Sequence, residues 1–163
     1  MPTSKKPFVA IIGNRNSGKS TVIRCLAGSK TGQFRGTVID LMTNRTIEVI
    51  GSSPQEMKLS LLDLRKILKK ASTSPDCNGV VCALQPTHPR VRLSMELVLQ
   101  EAAAYGFSVL PYILDPEYTG STGHAASIAA RTRTAGFISQ VLDGQRFGHI
   151  NAQLINRRAR IAA

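Results

Sequence analysis

The chain has no tryptophan, and aromatic residues make up only 5% of its 163 positions. That scarcity argues against the rows of stacked rings on which single-strand nucleic-acid platforms are built. Cysteine is sparse too: Cys25, Cys77 and Cys82 show no CxxC spacing and are odd in number, so neither a disulfide framework nor a zinc site is indicated. No apolar run approaches the roughly 20 residues that cross a bilayer. The opening Met1-Pro2-Thr3-Ser4-Lys5-Lys6-Pro7 offers neither an apolar signal core nor a small-residue cleavage site, and a cytoplasmic protein is expected. Acidic residues are few, 10 against 21 Lys and Arg, for a net charge of +11. Such a balance attracts nucleic acid, anionic lipid or acidic protein surfaces without naming any of them. The basic residues are scattered, with local concentrations at Lys5-Lys6, around Arg65 to Lys70, at Arg90 and Arg92, at Arg131 and Arg133, and at Arg157-Arg158-Arg160. His88, His124 and His149 have no ligand spacing and are assigned no chemistry.

What is present is the material of one α/β domain spanning residues 1–163, a length close to that of a common single domain. Phe8 to Ile12 is a continuous apolar run suited to a strand buried on both faces of a sheet. From Lys19 the spacing of Val22, Ile23 and Leu26 is helical, with Gly28 as its stop. A polar loop from Ser29 to Gly36 precedes two β-rich runs, Thr37 to Met42 and Thr46 to Ile50, joined by a turn at Asn44. After the loop Gly51-Ser52-Ser53-Pro54, the residues Leu59, Leu62, Ile67 and Leu68 lie on one helical stripe. Gly79 to Leu84 reads as a buried strand. Leu93 to Ala102 reads as a helix ending near Gly106, and Phe107 to Leu114 as a strand despite Pro111. Beyond Asp115 two readings stay open: a helix from His124 to Arg133 followed by a strand Gly136 to Leu142, or one helix through to Leu142. Asn151 to Ile161 is expected to be helical, with Asn151 as N-cap and arginines at its C-terminal end, where the helix dipole favours them.

One segment carries chemistry. Gly13-Asn14-Arg15-Asn16-Ser17-Gly18-Lys19-Ser20 has the form GxxxxGK(S/T), follows an apolar strand and opens a helix. Glycines in such a loop let successive backbone amides turn toward one anion, and the helix adds the positive end of its dipole. Lys19 is expected to reach the β- and γ-phosphates of ATP or GTP, Ser20 to hold Mg²⁺, and the loop through Thr21 to line the nucleotide.

Phe8 to Ala27, FVAIIGNRNSGKSTVIRCLA, resembles the opening of the translation-factor-related and Ras-like GTPase class. The resemblance implies a three-layer P-loop NTPase sheet, mostly parallel with one antiparallel hairpin strand. It also implies a switch-like polar loop after the first helix, and a DxxG motif where this chain has Gly51-Ser52-Ser53-Pro54-Gln55-Glu56. Gln55 would then take the place of the water-orienting glutamine, but the DxxG aspartate becomes Gly51 and its glycine Pro54, which has no N–H. Moving the register by one residue puts Ser52 and Gln55 at those places and still supplies no carboxylate. The guanine-reading NKxD motif is missing too, since the strand ends Tyr112-Ile113-Leu114-Asp115-Pro116-Glu117. Asp115, ending an apolar strand, is the candidate substitute for the magnesium-associated carboxylate, with Asp40 as a weaker one, although a strand-terminal aspartate before proline also starts a turn. Asn16 stands where cation-dependent members carry a potassium-binding asparagine, although a loop asparagine also serves turn geometry. Arg131 and Arg133 fit either a kinase-like lid or a solvated helix face. Three functions follow: a slow or partner-dependent NTPase, a degenerate GTPase that binds nucleotide and engages nucleic acid or protein, or a small P-loop kinase.

Overall fold

The computed structural model describes residues 5–28, 34–87, 93–116 and 124–162. Most of the polar segment after the first helix, His88, Pro89, Arg90, Arg92 and Glu117 lie outside them.

Strand β1 (Pro7–Ile12) leads through the glycine-bearing loop into helix α1 (Lys19–Ala27), which ends on Gly28 in the left-handed region. β2 (Arg35–Asp40) and β3 (Arg45–Ile50) form an antiparallel hairpin from Arg35↔Ile50 to Asp40↔Arg45, turning at Asn44, which has a positive φ. Helix α2 (Leu61–Thr73) begins on a capping box in which the Ser60 side chain and Asp63 satisfy each other's backbone amides. Its buried stripe is Leu64, Ile67, Leu68 and Ala71, whereas Leu62 is 63% exposed, so the apolar face is narrower than the sequence pattern implied. β4 (Cys77–Leu84), α3 (Met95–Ala104), β5 (Ser108–Asp115), α4 (His124–Thr134), β6 (Gln140–Asp143) and α5 (Gly148–Ala159) follow. Ser94 caps α3 by accepting from the Leu97 amide.

The six strands form one sheet in the order β2-β3-β4-β1-β5-β6. Every pair is parallel except the β2–β3 hairpin. β1 alternates its side chains between two cores, as the period of a strand requires. Phe8, Ala10 and Ile12 pack with α2, α3 and α4 residues such as Leu68, Leu99 and Ile128. Val9 and Ile11 pack with α1 and α5 residues such as Ile23 and Ile155. The result is the expected α/β three-layer architecture, a mostly parallel sheet with one antiparallel hairpin strand.

Two local readings change past Asp115. The short-helix alternative holds, but β6 contains only four residues, because Gly136 and Phe137 close α4 by donating to the carbonyls of Arg133 and Thr132. Helix α5 starts three residues before Asn151, with Phe147 at its N-cap. Asn151 is buried inside the helix, where its Nδ2 donates to the Asp143 carbonyl at 2.9 Å and ties α5 to the end of β6. The arginines fall in the last turn as expected, at Arg157 and Arg158.

Candidate nucleotide site

At the C-terminal end of β1 the chain parts between the two faces of the sheet. The connection after β1 goes to the α1/α5 side, whereas those after its neighbours β4 and β5 go to the α2/α3/α4 side. In open α/β sheets a crevice for ligands forms at such a point. Here it holds a cleft of about 1160 Å³, on the scale of a ligand site. Residues 15–21 line one wall, and Gly51, Ser52, Glu56, Met57, Gln85 and Thr87 line the rest.

The loop wall is shaped by backbone conformations that its sequence permits. Asn16 has φ 63° and Gly18 φ 89°, so Asn16 serves the turn geometry of the loop. Gly13 is required by proximity: a Cβ there would stand 2.2 Å from the Ser17 Oγ. Its own amide donates to the Leu84 carbonyl, fixing the loop to β4, and the Ser17 amide donates to Asn14 across the bend. The first amides of α1 have no intrahelical acceptor and face this end of the helix. Lys19 is only 7% exposed, and its Nζ donates to the Gly13 carbonyl at 2.8 Å and the Asn14 carbonyl at 2.7 Å, which holds the ammonium within the loop. Burial holds its pKa below the usual lysine value, and attraction to Glu56 partly offsets that. The Ser17 Oγ is buried without a hydrogen-bond partner among the described residues. A buried donor, a buried ammonium and a bend that admits no Cβ suit a phosphate group. Ser20 is half-buried at the cleft, and exposed Thr21 packs against Gly148 of α5, where a Cβ would meet the Thr21 methyl at 2.7 Å.

The opposite wall departs from the sequence reading. Gln55 turns away from the cleft: it is buried, and its Nε2 donates to the carbonyls of Leu93 at 2.9 Å and Gln85 at 3.4 Å. In that position it orients no water at a phosphate. Its neighbour Glu56 lines the cleft instead. Glu56 Oε1 accepts from Gln85 Nε2 at 2.7 Å, and Oε2 accepts from the Ser53 amide at 3.3 Å. Glu56 and Gln85 were not singled out in the sequence. The signal for Gln85 is its place immediately after the buried run Gly79 to Leu84, and no local pattern separates Glu56 from Gln55.

Asp115 is buried at the end of β5, on the other flank of β1, where its carbonyl accepts from Gly144. It is not among the residues that line the cleft. Asp40 caps the hairpin turn by accepting from the Met42 amide. Arg131 is committed elsewhere, donating to Glu96 and to the Pro86 carbonyl, both at 2.6 Å, so it braces the segment leaving β4. Arg133 is exposed on α4. No group of three or more His, Cys, Asp or Glu side chains that could hold a metal ion occurs among the described residues. None of the helices, within those residues, is long and apolar enough to cross a membrane.

No protein-family model and no curated protein matches the chain. Among solved structures, the Mycobacterium tuberculosis APS kinase CysC, in complex with AMPPNP and APS, is similar with a TM-score of 0.44. It is 14% identical over 95% of this chain and 98% of that one. At that level of likeness nothing about this chain's ligand follows from it.

Proposed function

We propose that this chain binds a nucleoside triphosphate with Mg²⁺ and turns it over slowly, or only with a partner. The observation that carries the reading is the buried Lys19 inside a bend that admits no Cβ at Gly13, at the sheet end where the cleft opens. The backbone of residues 15–20 and the Lys19 ammonium would bind the β- and γ-phosphates, and the Ser20 hydroxyl would hold the ion. A bound Mg²⁺ would supply neutralisation of the negative charge on the phosphates. The protein's own share is orientation: Lys19 is already held in place by two loop carbonyls.

Slow turnover follows from Gln55. With its amide committed to the Leu93 and Gln85 carbonyls, Gln55 does not position a water at the phosphates. Even Ras, which has one, hydrolyses GTP at only about 10⁻⁴ s⁻¹ until a partner adds an arginine. The base is open between adenine and guanine, since no NKxD motif is present.

Thermal-shift titration with ATP, GTP, CTP and UTP, with and without Mg²⁺, tests the reading on wild type and Lys19→Ala. Stabilisation of wild type by one or more triphosphates, lost in the variant, is expected. Equal response of the two proteins would overturn it. Wild-type turnover near 1 s⁻¹, abolished in Lys19→Ala, would leave binding intact and overturn the slow-NTPase part.

A further inference from the structure

A magnesium ion shared with a triphosphate takes one or two protein carboxylates beside the phosphate oxygens and water. Neither aspartate favoured by the sequence reaches the cleft. β2, which carries Asp40, lies three strands from β1, about 14 Å at the usual strand spacing, and Asp115 lies on the far flank of β1. Glu56 is the acid among the described lining residues.

Its carboxylate is held from two directions. Gln85, just past the end of β4, donates to Oε1 at 2.7 Å, and the Ser53 amide donates to Oε2 at 3.3 Å. The turn is closed in return by the Glu56 amide donating to Ser53 Oγ at 3.3 Å. Each carboxylate oxygen keeps a further lone pair after these bonds. A carboxylate fixed at a phosphate site repels the ligand unless a cation lies between them. Its attraction to Lys19 shows that it shares the field of the phosphate loop.

We infer that Glu56 is the carboxylate facing the nucleotide-bound divalent cation, with Gln85 as its positioning residue. The inference rests on the triphosphate reading above. Replacing the carboxylate by an amide removes the cation's anionic partner and also removes a charge that repels bare phosphate, so the effect changes sign with the metal.

The test is the affinity for a non-hydrolysable triphosphate analogue, measured by titration calorimetry in excess Mg²⁺ and again in excess EDTA. Glu56→Gln is expected to bind as tightly as wild type or severalfold tighter in EDTA. The gain in affinity on adding Mg²⁺ is expected to fall about tenfold or more. Gln85→Ala should reduce the same gain by a smaller factor. Glu56→Asp, which keeps the charge but shortens the reach, should fall between wild type and Glu56→Gln in Mg²⁺. An equal increase for Glu56→Gln in both arms, or an unchanged Mg²⁺ gain, would overturn the inference while leaving nucleotide binding intact. Failure of wild type to bind in either arm would overturn both.

Discussion

Gln55 Nε2 lies 2.9 Å from the carbonyl of Leu93, a residue 38 positions further along the chain. It also approaches the Gln85 carbonyl at 3.4 Å, so one amide joins the loop after β3 to both sides of the segment between β4 and α3. Consecutive residues thereby point in opposite senses, Gln55 inward and Glu56 into the cleft. Gln55→Ala should lower unfolding free energy by about 1–3 kcal/mol, because two buried carbonyls lose a donor. Urea denaturation measures it. A variant of unchanged stability with a selective loss of turnover would mean that Gln55 swings out to orient water.

Lys19 makes a pH prediction whose sign follows from its burial. Its folded-state pKa lies below the usual 10.5, so the folded protein penalises the charged form. That penalty is fully present at neutral pH and is relieved as pH rises through the lowered value toward 10.5. Without nucleotide, the stability of wild type relative to Lys19→Met should therefore rise over that alkaline window. With nucleotide, Lys19→Met should lose roughly 10- to 100-fold in affinity, the scale of one charge-assisted contact. Denaturation at several pH values and calorimetry check the two halves separately.

The contact between Gly13 and Ser17 can be tested by a double substitution. Gly13→Ala places a methyl 2.2 Å from Ser17 Oγ and 2.9 Å from Ser17 Cβ. The clash should cost about 1–3 kcal/mol and weaken triphosphate binding by widening the bend. Gly13→Ala combined with Ser17→Gly removes both opposing atoms and should recover much of the lost stability, less about 1 kcal/mol for the added glycine's freedom. Additive losses in the double variant would show that the strain lies elsewhere in the loop.

Arg131 and Glu96 should make stability fall in acid. Burial pushes the Glu96 pKa up, but the hydrogen bond and charge of Arg131, with a backbone amide, outweigh it and hold the carboxyl below its usual 4.5. The stabilisation is present in full above that value and is lost as pH falls through the lowered one. Glu96→Gln should cost about 1 kcal/mol at neutral pH, since both side chains are part-exposed, and the difference from wild type should shrink below pH 4.5. Arg131→Ala should retain part of its cost in acid, because its bond to the Pro86 carbonyl does not titrate. Thermal melts from pH 3 to pH 7 distinguish the two.

The sequence by itself determined the features that depend on near neighbours. The apolar run Phe8 to Ile12, the GxxxxGKS loop, the Asn44 turn and the Gly28 stop each specify local backbone through side-chain period or access to positive φ, and each stands where it was read. Tertiary structure decided the rest. The placement of β4 between β3 and β1 is a pairing between strands far apart in sequence, set by how α2 and α3 pack on the sheet, and no periodicity encodes it. That order makes the residues after β4 a wall of the cleft and leaves Asp115 on the other flank. Asn151 has an N-cap's chemistry, yet it serves a carbonyl at the end of β6. Gln55 and Glu56 are adjacent polar residues in a turn without repeating geometry, where sequence assigns no direction to either side chain. Carbonyls contributed by Gln85 and Leu93 draw one inward, and the Gln85 amide holds the other toward the phosphate loop.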